Sequence, residues 1–235
     1  MNSPTGIIIP QYGQAELTLR CVESFLDVHT DPGSILVVDD GSAAPQAVRQ
    51  LHALPAADLR ILKLRENRGV THAWSTAARE LLAAQPVDHL VFLNNDVVSQ
   101  GAWLPALLAG LQQPGVLLAG VATRQEPHLP AAIKQKWPQL RLLAGWCLAI
   151  RTVDFLQLGG FDPRLELYFS DTDLQLRALL AAGETAGPVL QSVPGLSLQH
   201  LLHGTVATHP ARQQLWERDR SRFVAKWKNL MNLNT

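Results

Sequence analysis

Apolar residues fall along this chain in short bursts whose spacing switches between continuous and helical. Gly6-Ile7-Ile8-Ile9-Pro10 is a β-branched run ended by proline, which predicts a buried strand. Leu17, Cys21, Val22, Phe25 and Leu26 then recur at helical spacing over residues 14–28. Ile35-Leu36-Val37-Val38 predicts a second strand, closed by the turn residues Asp39-Asp40-Gly41-Ser42, with a helix following to about Leu54. Leu59 to Leu64 predicts a third strand, 70–84 an Ala-rich helix, and Leu90-Val91-Phe92-Leu93 a fourth strand stopped by Asn94-Asn95-Asp96. Short strands alternating with helices mean βαβ units on a parallel sheet. Continuous apolar runs, rather than alternation, fit strands covered on both faces.

The second half is less regular. Residues 101–112 read as helix and Gly115 to Ala122 as strand. Residues 123–138, with Pro127, Pro130 and Pro138, read as a loop. Leu140 to Ile150 reads as one strand interrupted by Gly145, and Thr152 to Leu158 as a short helix ended by Gly159-Gly160. A helix is expected over 171–182 with Ser170 or Asp171 near its cap and Gly183 as its stop, then extended chain from Thr185 to Val193 and a helix over about 208–229.

Composition narrows the class. With 47% hydrophobic residues, 20 Lys+Arg and 20 Asp+Glu, the chain is a globular sequence and not a disordered one. Its zero net charge speaks against nucleic acid as a partner. Cys21 and Cys147 cannot build a disulfide framework, which suggests a reducing compartment. The start MNSPTGIIIP lacks a basic region and a long apolar run, so no signal peptide is expected. A cytoplasmic setting follows, and 235 residues fit one large domain.

Ligands of open α/β sheets bind beyond the carboxyl ends of the strands. Those ends carry Pro10-Gln11-Tyr12, Asp39-Asp40-Gly41-Ser42, Asn67-Arg68-Gly69 and Asn94-Asn95-Asp96. Asp, Asn and Gly dominate ordinary turns, but several such clusters on one edge favour a polar, phosphate-bearing ligand. Neither G-x-G-x-x-G after the first strand nor G-x-x-x-x-G-K-[ST] is present. Phosphate neutralisation would then fall to a divalent cation on Asp96, since hard cations take carboxylate oxygen.

These residues resemble the family 2 glycosyltransferases, inverting enzymes with the GT-A fold. The resemblance covers about residues 5–228. It rests on Ile7-Ile8-Ile9-Pro10 with Tyr12, on Val37-Val38-Asp39-Asp40-Gly41-Ser42, on Asn67-Arg68-Gly69 and on Leu93-Asn94-Asn95-Asp96, a softened D-x-D. Gly159-Gly160-Phe161-Asp162, Tyr168-Phe169-Ser170-Asp171-Thr172-Asp173-Leu174, Arg177 and His200 continue it, and Phe223, Lys226 and Trp227 echo a common ending. It implies an α/β GT-A fold: a mostly parallel central sheet, helices on both faces and a smaller acceptor-side sheet. Residues 1–96 would be the nucleotide-sugar half, 97–205 the acceptor half and 206–235 a helical tail.

The resemblance also implies roles. Pro10, Tyr12, Asn67, Gly69, Asn94 and Asn95 would surround a nucleoside diphosphate sugar, with Asp39 and Asp40 on its base and ribose. Asp96 would ligate Mn²⁺ or Mg²⁺, with His200, or else His203, completing the shell. Asp171 would be the base toward a glycan or lipid-linked glycan acceptor. Trp146, Asp173 and Arg177 are acceptor-side candidates. The sequence departs from the family in Ser170 for Glu, in Asn94 for the first D-x-D carboxylate, and in Trp74 and Ser75 where a later Asn is usual. The competing readings are a nucleotide-sugar-binding module without turnover, kept open by the softened motifs, and a sugar-phosphate nucleotidyltransferase, opposed by the missing glycine-rich loop. In the tail, Trp216, Phe223 and Trp227 share one helical face; the stripe predicts docking on the domain, or alternatively contact with a membrane surface.

Overall fold

Strands β1 (Thr5–Gln11), β2 (Ser34–Asp39), β3 (Leu59–Lys63), β4 (His89–Leu93), β6 (Leu118–Gly120), β9 (Cys147–Arg151) and β10 (Leu190–Ser192) form one sheet in the order β10-β6-β9-β4-β1-β2-β3. This is a computed structural model that describes residues 4–30, 33–43, 51, 54, 59–183, 187–202 and 211–233, with the backbone alone at 232–233. All neighbours pair in parallel except β9, which runs antiparallel to both β4 and β6.

The period-2 geometry of a strand sends alternate residues of each apolar run to opposite faces. Ile7, Ile9, Ile35, Val37, Val91 and Leu93 pack on one side with helices α1 (Ala15–Val28) and α3 (Leu104–Leu111). Ile8, Leu36, Val38, Leu90 and Phe92 pack on the other with α2 (Val70–Ala84), α5 (Thr152–Gln157) and α6 (Ser170–Ala182). Each large apolar side chain removed from water contributes about 1.5–3 kcal/mol, so covering both faces is what the continuous runs are for.

The structure corrects three expectations. The proline-rich stretch 123–138 is not all loop: it contains β7 (Thr123–Arg124) and helix α4 (Ala131–Lys136). Pro130 stands just before that helix, where its missing N–H removes no helical bond. The single strand read over 140–150 is two, β8 (Leu142–Leu143) and β9, parted by Ala144-Gly145-Trp146. The strand read over 115–122 shortens to β6. The helix expected up to Leu54 lies mostly outside the described residues. Two small antiparallel pairs complete the chain, β7 with β8, and β5 (Val97–Ser99) with β11 (Leu198–His200), the latter setting His200 opposite Val97.

The last helix, α7 (Arg212–Leu233), docks on the domain. Phe223 and Trp227 are fully buried, packed with Leu165, Phe169 and Leu176. The indole N–H of Trp227 donates to Asp173 Oδ1 at 3.0 Å, and Lys226 Nζ reaches Asp173 Oδ1 at 2.7 Å and Asp162 Oδ2 at 2.8 Å. One oxygen of the buried Asp219 accepts the backbone N–H groups of Glu166, Leu167 and Tyr168 at 3.1, 2.8 and 3.0 Å. Phe223 and Trp227 therefore take the docking alternative for this stripe. Among the described residues no helix is long and apolar enough to cross a membrane.

Trp227→Ala should cost about 3–5 kcal/mol, because it opens a large cavity and removes a bond to a buried carboxylate; urea unfolding measures it. Burial pushes the Asp162 carboxyl up, but Arg164 and Lys226 outweigh it and hold the group well below the usual carboxylate range. A depressed folded-state pKa stabilises above the unfolded value of about 4 and loses that contribution as pH falls through the folded value. The urea midpoint of the wild type should thus fall on acidification below about pH 4 more steeply than that of Asp162→Asn.

Candidate active site

The carboxyl ends of β1, β2 and β4 meet in a hydrogen-bonded chain. Gln11 closes β1 and is buried; its Nε2 donates to Asp39 Oδ1 at 3.2 Å and to Ser42 Oγ at 2.9 Å. Its Oε1 receives Thr18 Oγ1 of α1 at 3.5 Å, and Thr18 in turn accepts from Asn95 Nδ2 at 2.9 Å. Asp39 is fully buried and its Oδ2 has no partner. Asp40 accepts the backbone N–H groups of Arg68 and Gly69 at 3.0 and 2.8 Å, so the Asn67-Arg68-Gly69 turn hangs on its carboxylate. Burial pushes the Asp40 carboxyl up, against those two bonds.

A cavity of about 440 Å³ opens at this edge. Of the sequence candidates, Pro10, Tyr12, Asp40, Asn67, Gly69, Asn94, Asn95, Asp96 and Asp171 line it. Gly69, at φ 88°, is required by a close approach: a Cβ there would fall on the carbonyl oxygen of Glu166. Trp74 also lines the cavity, stacked on Phe161 with ring centroids 5.3 Å apart and with its indole N–H unpartnered.

Asp96, 3% exposed, faces His200: Oδ1 and Nε2 lie 3.1 Å apart. The β5–β11 pairing creates this contact, helped by the Leu201 N–H bond to the Asp96 carbonyl at 2.8 Å. The Trp146 ring stacks on the His200 imidazole, centroids 5.0 Å apart and planes 12° apart, and fixes its orientation. Carboxylate oxygen and imidazole nitrogen are donors that Mn²⁺ accepts. No group of three or more His, Cys, Asp or Glu side chains converges among the described residues, so a cation here would take the rest of its shell from a ligand or water. His203 lies outside the described residues.

Asp171 is the second residue of α6, whose start follows Phe169 in the left-handed region at φ 66°. Its Oδ2 accepts from Arg124 Nη2 at 2.9 Å, while Oδ1 has no bond to a described residue. Arg124 also bonds Thr172 Oγ1 at 2.9 Å and the Glu126 carboxylate. Burial alone would pull the guanidinium pKa down, but Asp171 and Glu126 outweigh it and raise it. Gly145, in the break between β8 and β9, lets the carboxylate in, since a Cβ at 145 would fall on Asp171 Oδ2.

The structure does not bring every candidate to the cavity. Asp173 is fully buried and bonds Arg177 Nε at 2.8 Å, while Arg177 also reaches the carbonyls of Leu158 and Gly160. Both hold the fold together. Trp146 serves His200, and Asp39 lies behind the cavity wall. Sequence reading missed Arg124, Glu126 and Gln11. Arg124 and Gln11 gain their meaning from partners remote in sequence, and Glu126 gains it through Arg124; only the position of Gln11 at a strand end could have marked it.

The description "glycosyl transferase family 2" is the one whose sequence pattern matches residues 6–159. The chain belongs to that family. No curated protein matches it by sequence. A family 2 reading agrees with the fold of solved proteins. A mannosyltransferase from Pyrobaculum calidifontis, solved with GDP-Man and Mn²⁺, is similar at a TM-score of 0.67 and 20% identity, over 96% of this chain and 65% of its own. GalNAc-T7, solved with UDP, GalNAc and Mn²⁺, gives 0.58 and 15%, over 74% and 40%. Glucosyl-3-phosphoglycerate synthase from Mycobacterium tuberculosis, solved with Mn²⁺, UDP and glucosyl-3-phosphoglycerate, gives 0.65 and 17%, over 94% and 80%. The chain thus spans under two thirds of the length of the first two. At these identities the likeness is one of fold, and the family 2 chain shares their GT-A architecture.

Gly145→Ala should displace Asp171 while leaving the sheet intact. Crystallography or side-chain NMR should find the Asp171–Arg124 pair broken, with a stability loss of about 1–3 kcal/mol.

Proposed function

We propose that the chain is an inverting, metal-dependent glycosyltransferase that moves a hexose or deoxyhexose from a nucleoside diphosphate sugar to a hydroxyl acceptor, in bacterial polysaccharide or glycoconjugate synthesis. One observation carries the reading: the Asp96–His200 pair and the Asp171 carboxylate belong to one site, with Asp96 and Asp171 lining the same cavity. An inverting displacement needs a base on the face opposite the leaving group and charge stabilisation on the leaving-group side.

Asp171 Oδ1 takes the proton of the acceptor hydroxyl as its oxygen attacks the anomeric carbon. Arg124, bonded to Oδ2, holds the carboxylate in place during the attack. Asp96 and His200 would hold Mn²⁺ or Mg²⁺, and their donor atoms fit such an ion. A cation held there would supply Lewis-acid stabilisation of the charge developing on the departing diphosphate. Asp39, buried behind the cavity wall, braces Gln11 and the Ser42 N–H and so positions the strand ends rather than touching the nucleotide, and Asp40 sets the Asn67-Arg68-Gly69 turn against the ribose and diphosphate. The free, buried Cys21 and Cys147 fit a cytoplasmic setting.

A thermal-shift panel of nucleoside diphosphates and nucleotide sugars tests the donor reading: a matching nucleotide should raise the midpoint with Mn²⁺ and lose most of that effect in EDTA. Asp171→Asn should lower transfer by about 10²–10⁴-fold while keeping the nucleotide shift. Full activity in that variant sinks the base assignment, and indifference to EDTA removes the metal. Nucleotide binding without any turnover would instead mark a binding module.

A further inference from the structure

A second cavity, of about 270 Å³, shares Leu167 and Asp171 with the first. Its wall includes Arg124, Glu126, His128, Tyr168, Asp171 and Trp216. Asp171 lines both cavities, while the strand-end residues Pro10, Asp40, Asn94 and Asp96 line only the first, so a group held in the second meets the same carboxylate without occupying the strand-end cavity.

The chemistry of this wall is selective. Among the described residues Arg124 is its one guanidinium, and it already pairs with both Asp171 and Glu126. One positive group against two carboxylates leaves no positive charge for an anion, and an incoming phosphate would meet net repulsion. The remaining surface is aromatic. His128 meets Trp216 edge-on with centroids 5.0 Å apart, and Phe169 lies 6.4 Å from His128 and 6.5 Å from Trp216. Among the described residues the buried Tyr168 phenol oxygen has no hydrogen-bond partner. Aromatic rings beside carboxylate oxygens and a free phenol suit a ligand with apolar C–H faces and hydroxyls at its rim. The volume is just under the range of about 300–1,000 Å³ usual for small-molecule sites, room for a single ring.

We infer that this cavity is the acceptor subsite and that it takes an uncharged sugar ring, not a phosphorylated or carboxylated acceptor. The inference rests on the glycosyltransferase reading above. It also gives the C-terminal helix a part in recognition, because Trp216 comes from α7. The uncharged sugar is either the end of a free glycan or the exposed ring of a lipid-linked one.

The test is calorimetric titration of the full chain, with nucleoside diphosphate and Mn²⁺ present, using methyl hexosides, octyl hexosides and hexose 6-phosphates as probes. Methyl hexosides should bind at least tenfold more tightly than the phosphates. Glu126→Gln, which keeps the side-chain shape, and Trp216→Ala should each weaken that binding at least tenfold. Equal binding of methyl and octyl hexosides marks a free glycan acceptor; tighter octyl binding marks a lipid-linked one, and either supports the inference. Phosphates binding as well as neutral hexosides overturns it, as does unchanged affinity in both variants. Hexosides failing to bind while the nucleotide binds also overturns it and leaves the donor reading standing. A hexoside bound in this cavity by a protein that ignores every nucleotide keeps the sugar site and removes the donor reading.

Discussion

A fully buried carboxylate, Asp173, is the constraint on which the catalytic half is built. An unpaired charge in such a place is too costly to persist, so the surrounding chain must bring donors to it. Arg177 from the same helix, Lys226 and the Trp227 indole from the C-terminal helix converge on its two oxygens. Arg177 in turn ties down the carbonyls that precede the Gly159-Gly160 turn and end within it. Two parts of the chain, the C-terminal helix and the turn at Gly159-Gly160, are thereby fixed relative to α6, and Asp171 sits two residues before the centre of that cluster. The proposed base gains its placement from this rigidity.

The segment between Asp162 and Asp171 shows the same logic at a finer scale. Asp219 gathers three successive N–H groups from one side, and Gly69 admits the Glu166 carbonyl from the other, where Thr71 N–H also bonds it at 3.2 Å. Arg222 adds a bond to the Arg164 carbonyl at 2.7 Å. A loop with little regular structure is thus held from the nucleotide half and from the tail together. Both cavities share it as a wall, so the spacing between the two cavities is set by backbone bonds and not by flexible side chains.

Much of this was legible in the chain. The isoleucine and valine runs marked β1, β2 and β4 because a doubly covered strand has no polar alternation to obscure its signal. Asp40, Asp96, Asp171 and His200 were visible as an ordered series of motifs. The fates of Asp173 and Arg177 were only half legible: their i, i+4 pairing followed from helix geometry, but their burial depended on where α7 would lie. Arg124 and Glu126 carried no signal, since they fall in a proline-rich stretch without periodicity, and Arg124 meets Asp171 47 positions away. The break at Gly145 read as a flaw in a strand because the reason for it, room for a carboxylate from another helix, is tertiary.

The reversed strand β9 has a consequence for how this protein can vary. Parallel strands deliver to one edge of a sheet only the residues that follow them. An antiparallel strand in their midst delivers the residues that precede it, and Cys147 lies in register with Leu93, so Gly145 and Trp146 emerge beside Asn94. The working edge is thus supplied from both chain directions, while the opposite edge, where Asp88 bonds Thr152, holds only connections. Insertions on that far edge leave the cavities untouched, and evolutionary change in length is free to collect there.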